Sequence, residues 1–254
     1  MKTMNLRKIP RARGGLLLAA LVLALGACKG DDKAAAPAAA PDTNPWPQVA
    51  WPLAEDAALE QRISDLMATM TVEEKVGQLV QGDIASITPD DVRKYRLGSI
   101  LAGGNSDPGG RYDASPAEWL ALADAFYEAS MDTSQGGKAI PVIFGIDAVH
   151  GQSNIVGATL FPHNIGLGAT RNPDLLRRIG EVTALETRTT GMEWAFAPTV
   201  AVPQDDRWGR TYEGYSEAPD VVAAFAPAVV EGMQGMAGSP EFLNDHHLMV
   251  SVKH

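Results

Sequence analysis

GIDAVHGQSNIVGATLFPHNIGLGATR, residues Gly145 to Arg171, changes from apolar to polar within a few positions, and that change decides the fold. The run before it, Ile140-Pro141-Val142-Ile143-Phe144, reads as a buried strand. The strand then ends in Asp147, His150, Gln152 and Asn154, hydrogen-bonding side chains at a carboxyl end. That is where α/β barrels build their sites. Three further apolar runs, Gly98 to Leu101, Trp194 to Val202 and Leu248 to Val252, complete four expected strands. Near-continuous apolar strands interleaved with helices indicate a parallel sheet covered on both faces. Four strands make half of a (β/α)8 TIM-like barrel, and a doubly wound sheet fits the same pattern.

The helices announce themselves by their caps. Thr71-Val72-Glu73-Glu74 is a capping box, and Thr88-Pro89 and Ser115-Pro116 each set a cap residue before proline at the first helical position. Leu59, Ile63, Leu66, Met67 and Met70 share one helical face, and Val76, Leu79 and Val80 are expected to point inward. Trp119, Leu122, Ala123 and Phe126 form a stripe, as do Leu175, Leu176, Ile179 and Val182 after Asn172-Pro173. A last helix carries Val221, Val222, Phe225, Val229 and Met233.

The amino-terminal segment reads differently. Lys2, Arg7, Lys8, Arg11 and Arg13 precede an apolar run, Leu16 to Leu25, too short to span a bilayer. Leu25-Gly26-Ala27-Cys28 follows and resembles a bacterial lipoprotein box, with residues 1–27 as signal peptide and Cys28 as the lipidated residue. Lys29, rather than Asp, follows the cysteine; by resemblance to Gram-negative lipoproteins this implies the outer membrane. The expected product is exported, in the periplasm or at the outer membrane, touching membrane only through its anchor. Cys28 is the only cysteine, which excludes a disulfide within one chain. Residues 28–54, rich in Ala, Pro and Asp, read as a tether. Cleavage before Cys28 removes five basic residues and no acidic one, so a net charge of −10 becomes −15, 16 basic against 31 acidic. Such a chain is a poor partner for nucleic acid and is compatible with a neutral ligand.

Polar groups stand at each strand end. Ala102-Gly103-Gly104-Asn105-Ser106 reads as a tight turn that also permits close backbone approach to a ligand. Asp147, taken alone, reads as a loop-bridging or helix-capping carboxylate, although a carboxylate also accepts from two neighbouring hydroxyls. His150 reads as a loop brace, and neither its spacing to His163 nor any HExxH pair makes a metal site. In Asp205-Asp206-Arg207-Trp208-Gly209-Arg210-Thr211-Tyr212-Glu213, one arginine is expected to be paired internally and the other to reach a pocket, with Trp208 as an apolar plug. Glu213 reads as an arginine's partner rather than a catalytic acid. Lys253-His254, directly after the last strand, puts a charge where burial needs a reason.

These three stretches, Gly145 to Arg171, Asp205 to Glu217 (DDRWGRTYEGYSE) and Lys253-His254, in this order, resemble the β-glucosidases and exo-β-glucanases of glycoside hydrolase family 3. The resemblance spans residues 59–254. It implies a TIM-like barrel, of which residues 55–254 form the amino-terminal part, and β-linked glucosides or gluco-oligosaccharides as substrates with no cofactor. It also implies sugar-hydroxyl contacts from Asp147, Arg210, Lys253 and His254. The family hydrolyses with retention, using an Asp nucleophile in a Ser-Asp-Trp-like motif on a later strand and a Glu acid/base usually on a second domain. Neither matches any segment here. The chain also stops at His254 immediately after a strand, and a fragment of a longer protein is therefore expected. A non-catalytic sugar-binding lipoprotein is the alternative. A nucleotide site finds no support, since there is no Walker A run and no GxGxxG after a strand.

Overall fold

A computed structural model describes residues 54–104 and 106–254; Cys28, the leader and nearly all of the tether lie outside the described residues. Twelve helices and strands follow in order. They are α1 (Ala57–Ala68), α2 (Val72–Gln78), β1 (Gln81–Asp83), α3 (Pro89–Tyr95), β2 (Ser99–Ala102) and α4 (Pro116–Met131). Then come β3 (Ile143–Ile146), α5 (Asn164–Ala169), α6 (Pro173–Arg188), β4 (Trp194–Ala195), α7 (Pro219–Gln234) and β5 (Met249–Val250). Short 3-10 turns occupy Pro108–Gly110 and Thr211–Glu213. Among the described residues no helix is long and apolar enough to cross a membrane.

All five strands are parallel, in the unbroken order β1-β2-β3-β4-β5. A doubly wound sheet reverses its strand order at a switch point, whereas a barrel adds each strand beside the last. The order observed is the barrel's, in an open sheet that is part of one. The count is one higher than expected. Strand β1 is Gln81-Gly82-Asp83 and has no apolar run to signal it. The other strands are shorter than their apolar runs. Pro141 and Pro198, which have no N–H to give the ladder, lie just outside β3 and β4.

The caps form as the sequence reading expects. Thr71 with Glu74, Thr88 with Asp91 and Ser115 with Glu118 all make reciprocal capping boxes, and Asn172 accepts from the Leu175 amide. One sheet face is sealed by helices: Ile100, Ala102, Phe144, Ile146 and Ala195 are at most 2% exposed. Trp119 and Phe126 of α4, Leu176 of α6, and Phe225 and Met233 of α7 join them in one core. The other sheet face, with Ser99, Leu101, Ile143, Trp194 and Met249, stays partly open, so cover on both faces is not what the chain shows. Helices α1 and α2 also depart from expectation. The stripe of α1 is exposed, and Val76, Leu79 and Val80 are exposed rather than inward. Periodicity identifies the apolar face of a helix without saying what covers it.

Helices α6 and α7 cross at glycine. Val182 is exposed, and α6 instead buries Leu176, Gly180, Thr183, Ala184 and Thr187. A Cβ on Gly232 would stand 2.1 Å from the Arg177 carbonyl oxygen, and one on Gly180 would stand 2.9 Å from that of Val229. An exposed helical Gly→Ala change stabilises by about 1 kcal/mol. At Gly232 the backbone clash reverses the sign, and Gly232→Ala is expected to cost about 1–3 kcal/mol. Urea unfolding midpoints measure this; a raised midpoint contradicts the close crossing.

Candidate functional site

The strand ends converge on one cavity of about 470 Å³, lined by Asp147, His150, Arg210, Tyr212, Lys253 and His254, among others. Asp147 follows β3, and Lys253 follows β5. The Lys253 Nζ donates to Asp147 Oδ1 at 2.5 Å across 106 residues of chain. This is the reason a charge stands after the last strand. Lys253 is itself tethered by backbone: its N–H donates to the Pro198 carbonyl at 3.0 Å, and its carbonyl accepts from Val200 at 2.6 Å. The Asp147 side chain is 41% exposed, so solvent screening leaves the pair about 0–1 kcal/mol of net stability. Its effect is on placement: it draws the carboxylate toward the β5 end.

Arg210 opens the turn Thr211–Glu213. Its Nε and Nη2 donate to the two Glu213 carboxylate oxygens, each at 2.5 Å, in the fork geometry that suits guanidinium and carboxylate. Glu213 is 7% exposed and its pKa is lowered, chiefly by these Arg210 hydrogen bonds against the opposing effect of burial. Such a group is a poor proton donor near neutral pH and has no free oxygen to attack with. The division expected between the two arginines is observed in part: Arg210 is the one that reaches the cavity, but it is paired as well. Arg207 is also paired, to Asp205, but with its side chain 90% exposed, while Arg210 lines the cavity. Trp208, 38% exposed, is no buried plug.

Two links hold the Arg210 turn to the loop after β3. Asn164, the first residue of α5 and 1% exposed, donates through Nδ2 to the Glu213 carbonyl at 2.8 Å. Gly168 lets α5 lie against the chain at Tyr215, where a Cβ would meet the carbonyl oxygen at 1.6 Å. The sequence reading missed this short helix, because its six residues are too few for a periodic signal. It missed Tyr212 as a cavity residue too; the available signal was its place between Arg210 and Glu213. Gly104 reaches the cavity as well, and the Ser106 N–H closes a turn onto the Gly103 carbonyl. Asp147, Arg210, Lys253 and His254, drawn from three strand ends, therefore share one wall. A larger cavity of about 670 Å³ lies between α2 and α3, lined by Val72, Val76, Val80, Ile87 and Tyr95. It lacks a comparable convergence of polar groups.

Two wall residues tie stability to pH. Burial, followed by the neighbouring His163, lowers the His150 pKa below 6.5. The unfolded chain then takes up a proton first, so stability is lost as pH falls below about 6.5. Glu213, depressed below 4.5, stabilises above that value and loses its contribution as pH falls through the folded pKa. Glu193, raised by burial, acts oppositely: its contribution is present below 4.5 and fades as pH rises through its folded pKa. Unfolding free energies of His150→Gln are expected to fall less than wild type between pH 6.5 and 5. Those of Glu213→Gln are expected to differ from wild type most near neutrality and least in acid. Parallel curves for variant and wild type contradict either assignment.

Residues 71–254 match the glycosyl hydrolase family 3 N terminal domain. The chain is similar to an exo-1,3/1,4-β-glucanase from a Pseudoalteromonas species, with 52% identity and a TM-score of 0.76, over 82% of this chain and 26% of that one. It is similar to a periplasmic β-glucosidase of Salmonella typhimurium, 30% identical over 192 residues, which are 76% of this chain and 22% of that protein. A β-glucosidase from Listeria innocua solved with glucose is 25% identical, with a TM-score of 0.57 over 77% of this chain and 26% of that one. The chain thus spans about a quarter of the length of these relatives. With the match covering most of its residues and five parallel strands in barrel order, the chain belongs to glycosyl hydrolase family 3, as part of that family's TIM-barrel-like N-terminal domain.

Proposed function

We propose that this chain supplies the sugar-gripping wall of an enzyme that releases terminal β-D-glucosyl residues from glucosides and β-glucans. The observation that carries the reading is the convergence of Asp147, Arg210, Lys253 and His254 on one cavity. A carboxylate, a guanidinium, an ammonium and an imidazole there match the mixed donor and acceptor pattern of adjacent hydroxyls on one ring. Relatives described as a β-glucosidase and an exo-β-glucanase, and one solved with glucose, support the choice of sugar.

Mechanism follows from what the cavity's carboxylates are already doing. Retaining hydrolysis uses two carboxyl groups about 5–5.5 Å apart, a nucleophile and an acid/base. Asp147 is ion-paired with Lys253, and both Glu213 oxygens are held by Arg210. We assign neither to those roles and place the reacting pair outside residues 1–254. In this reading the wall orients the ring and holds its hydroxyls, with contacts that tighten as the anomeric carbon flattens toward the oxocarbenium-like transition state.

Glucose titrated into the chain is expected to shift NMR resonances around Asp147, Arg210 and Lys253. Asp147→Asn is expected to weaken binding by about 1.5–3 kcal/mol, roughly 10- to 100-fold. A longer natural product of the gene is expected to hydrolyse aryl β-D-glucosides with retention, read from the first-formed anomer. Glucose binding with no hydrolysis of glucosides or xylosides by that folded product favours a non-catalytic sugar-binding protein. The absence of both binding and hydrolysis rejects the reading.

The same proposal places the protein outside the inner membrane, lipid-anchored through Cys28, in the periplasm or at the outer membrane. The basic leader, the short apolar run and the Leu-Gly-Ala-Cys sequence support it. Cys28→Ser is expected to abolish labelling by radioactive palmitate and to move the protein out of the membrane fraction. Unchanged labelling rejects the anchor.

A further inference from the structure

His150, in the cavity wall, and His163, behind it, are not among the proposed sugar contacts. His150 Nε2 and His163 Nδ1 lie 3.1 Å apart, with ring centroids separated by 4.5 Å and planes at 86°. His163 in turn meets the Tyr212 ring edge to face, at 4.7 Å and 72°. Three rings therefore run in a string from the loop after β3 to the turn after β4. At the next residue, Asn164 bonds the Glu213 carbonyl. The backbone of the turn is pinned by Asn164. Its ring, Tyr212, is 42% exposed and is met by His163.

The contact between the two imidazoles also limits where their protons can sit. A bond between two imidazole nitrogens holds one proton between them. His150 Nδ1 is buried and has no partner among the described residues. A buried N–H without an acceptor is rarer than an unfilled lone pair. The arrangement that avoids it puts the proton on His150 Nε2, donating to His163 Nδ1, and leaves the His163 Nε2–H free.

We propose that His163 is a positioning residue of the cavity: bonded to His150 and set against Tyr212, it fixes the Tyr212 ring and, through it, the turn that carries Arg210. The consequence for binding rests on the sugar-binding reading above; the consequence for the Tyr212 ring does not. His163 acts through Tyr212, in a role separate from the hydroxyl contacts assigned to Asp147, Arg210, Lys253 and His254.

Three variants separate the two halves of the role. His163→Phe keeps a ring against Tyr212 and loses the bond to His150. His163→Asn keeps a polar group near the Nδ1 position and loses the ring. His163→Ala loses both. In the wild-type chain, nitrogen-15 spectra are expected to show a protonated Nε2 on both histidines and a scalar coupling between His150 Nε2 and His163 Nδ1. In the alanine and asparagine variants the Tyr212 ring resonances are expected to move toward free-tyrosine positions, and glucose binding to weaken about tenfold. The phenylalanine variant is expected to retain the Tyr212 shifts and most of the affinity. Tyr212 resonances unchanged in the alanine or the asparagine variant overturn the proposal. So does an asparagine variant that binds like wild type while the phenylalanine variant does not. Should wild type itself bind no glucose, the sugar reading fails and the Tyr212 spectra alone decide the positioning. If the alanine variant does not fold, the phenylalanine and asparagine pair decides it.

Discussion

Side chains along a strand alternate between faces, and neighbouring strands in a parallel sheet share that alternation when held in register. Much of this molecule's organisation follows from that constraint. Gly145, Trp194 and Met249 are register partners across β3, β4 and β5. Their neighbours Ile146, Ala195 and Val250 share the opposite face, where Ile146 and Ala195 are fully buried under the helices. Counting onward by twos, Asp147 and Lys253 fall on the same side as Gly145 and Met249. Both residues lie just past the ends of their strands, and the pairing shifts by one residue on the way to Lys253, from Ala195 opposite Val250 to Thr199 opposite Lys253; with that shift the two side chains meet on one side of the sheet.

Much of this was legible in the chain because its signals are local. Thr71, Thr88, Ser115 and Asn172 announced their helices because a cap is a short-range hydrogen bond between residues within three positions of each other. Asp147 and Lys253 were legible as polar residues at strand ends, and the family resemblance singled them out with Arg210 and His254. What stayed hidden depended on distant partners. The Lys253 bond to Asp147, the Asn164 bond to Glu213 and the His163 contact with Tyr212 join residues 106, 49 and 49 positions apart, and no periodicity encodes them. Strand β1 was hidden for another reason. Gln81-Gly82-Asp83 joins the sheet through its backbone, with little apolar side chain to mark it. The apolar faces of α1 and α2 were read correctly as faces and wrongly, for α2, as buried.

The crossing of α6 and α7 shows how a sequence can mislead by offering the wrong residue as the anchor. Leu175, Leu176, Ile179 and Val182 have the spacing of a packing stripe, yet closest approach comes at Gly180 and Gly232, where backbone meets backbone. The stripe is turned so that Leu176, Thr183, Ala184 and Thr187 are buried and Val182 faces outward. Hydropathy weights the large side chains, while the geometry here is set by missing ones.

The four charged side chains of the cavity wall have a consequence beyond where each one points. Asp147 and Glu213 carry two negative charges, Arg210 and Lys253 two positive ones, and each charge is matched at hydrogen-bonding distance. Their sum is zero in a chain whose formal charge is −10. An ionic visitor, such as a uronate or a sugar phosphate, meets no uncompensated counter-charge on this wall, while the protein's overall field repels anions on approach. In the proposed role, a wall whose charges are paired off suits ligands that are polar yet carry no charge. The discrimination requires no residue devoted to rejection, because it follows from the pairing itself.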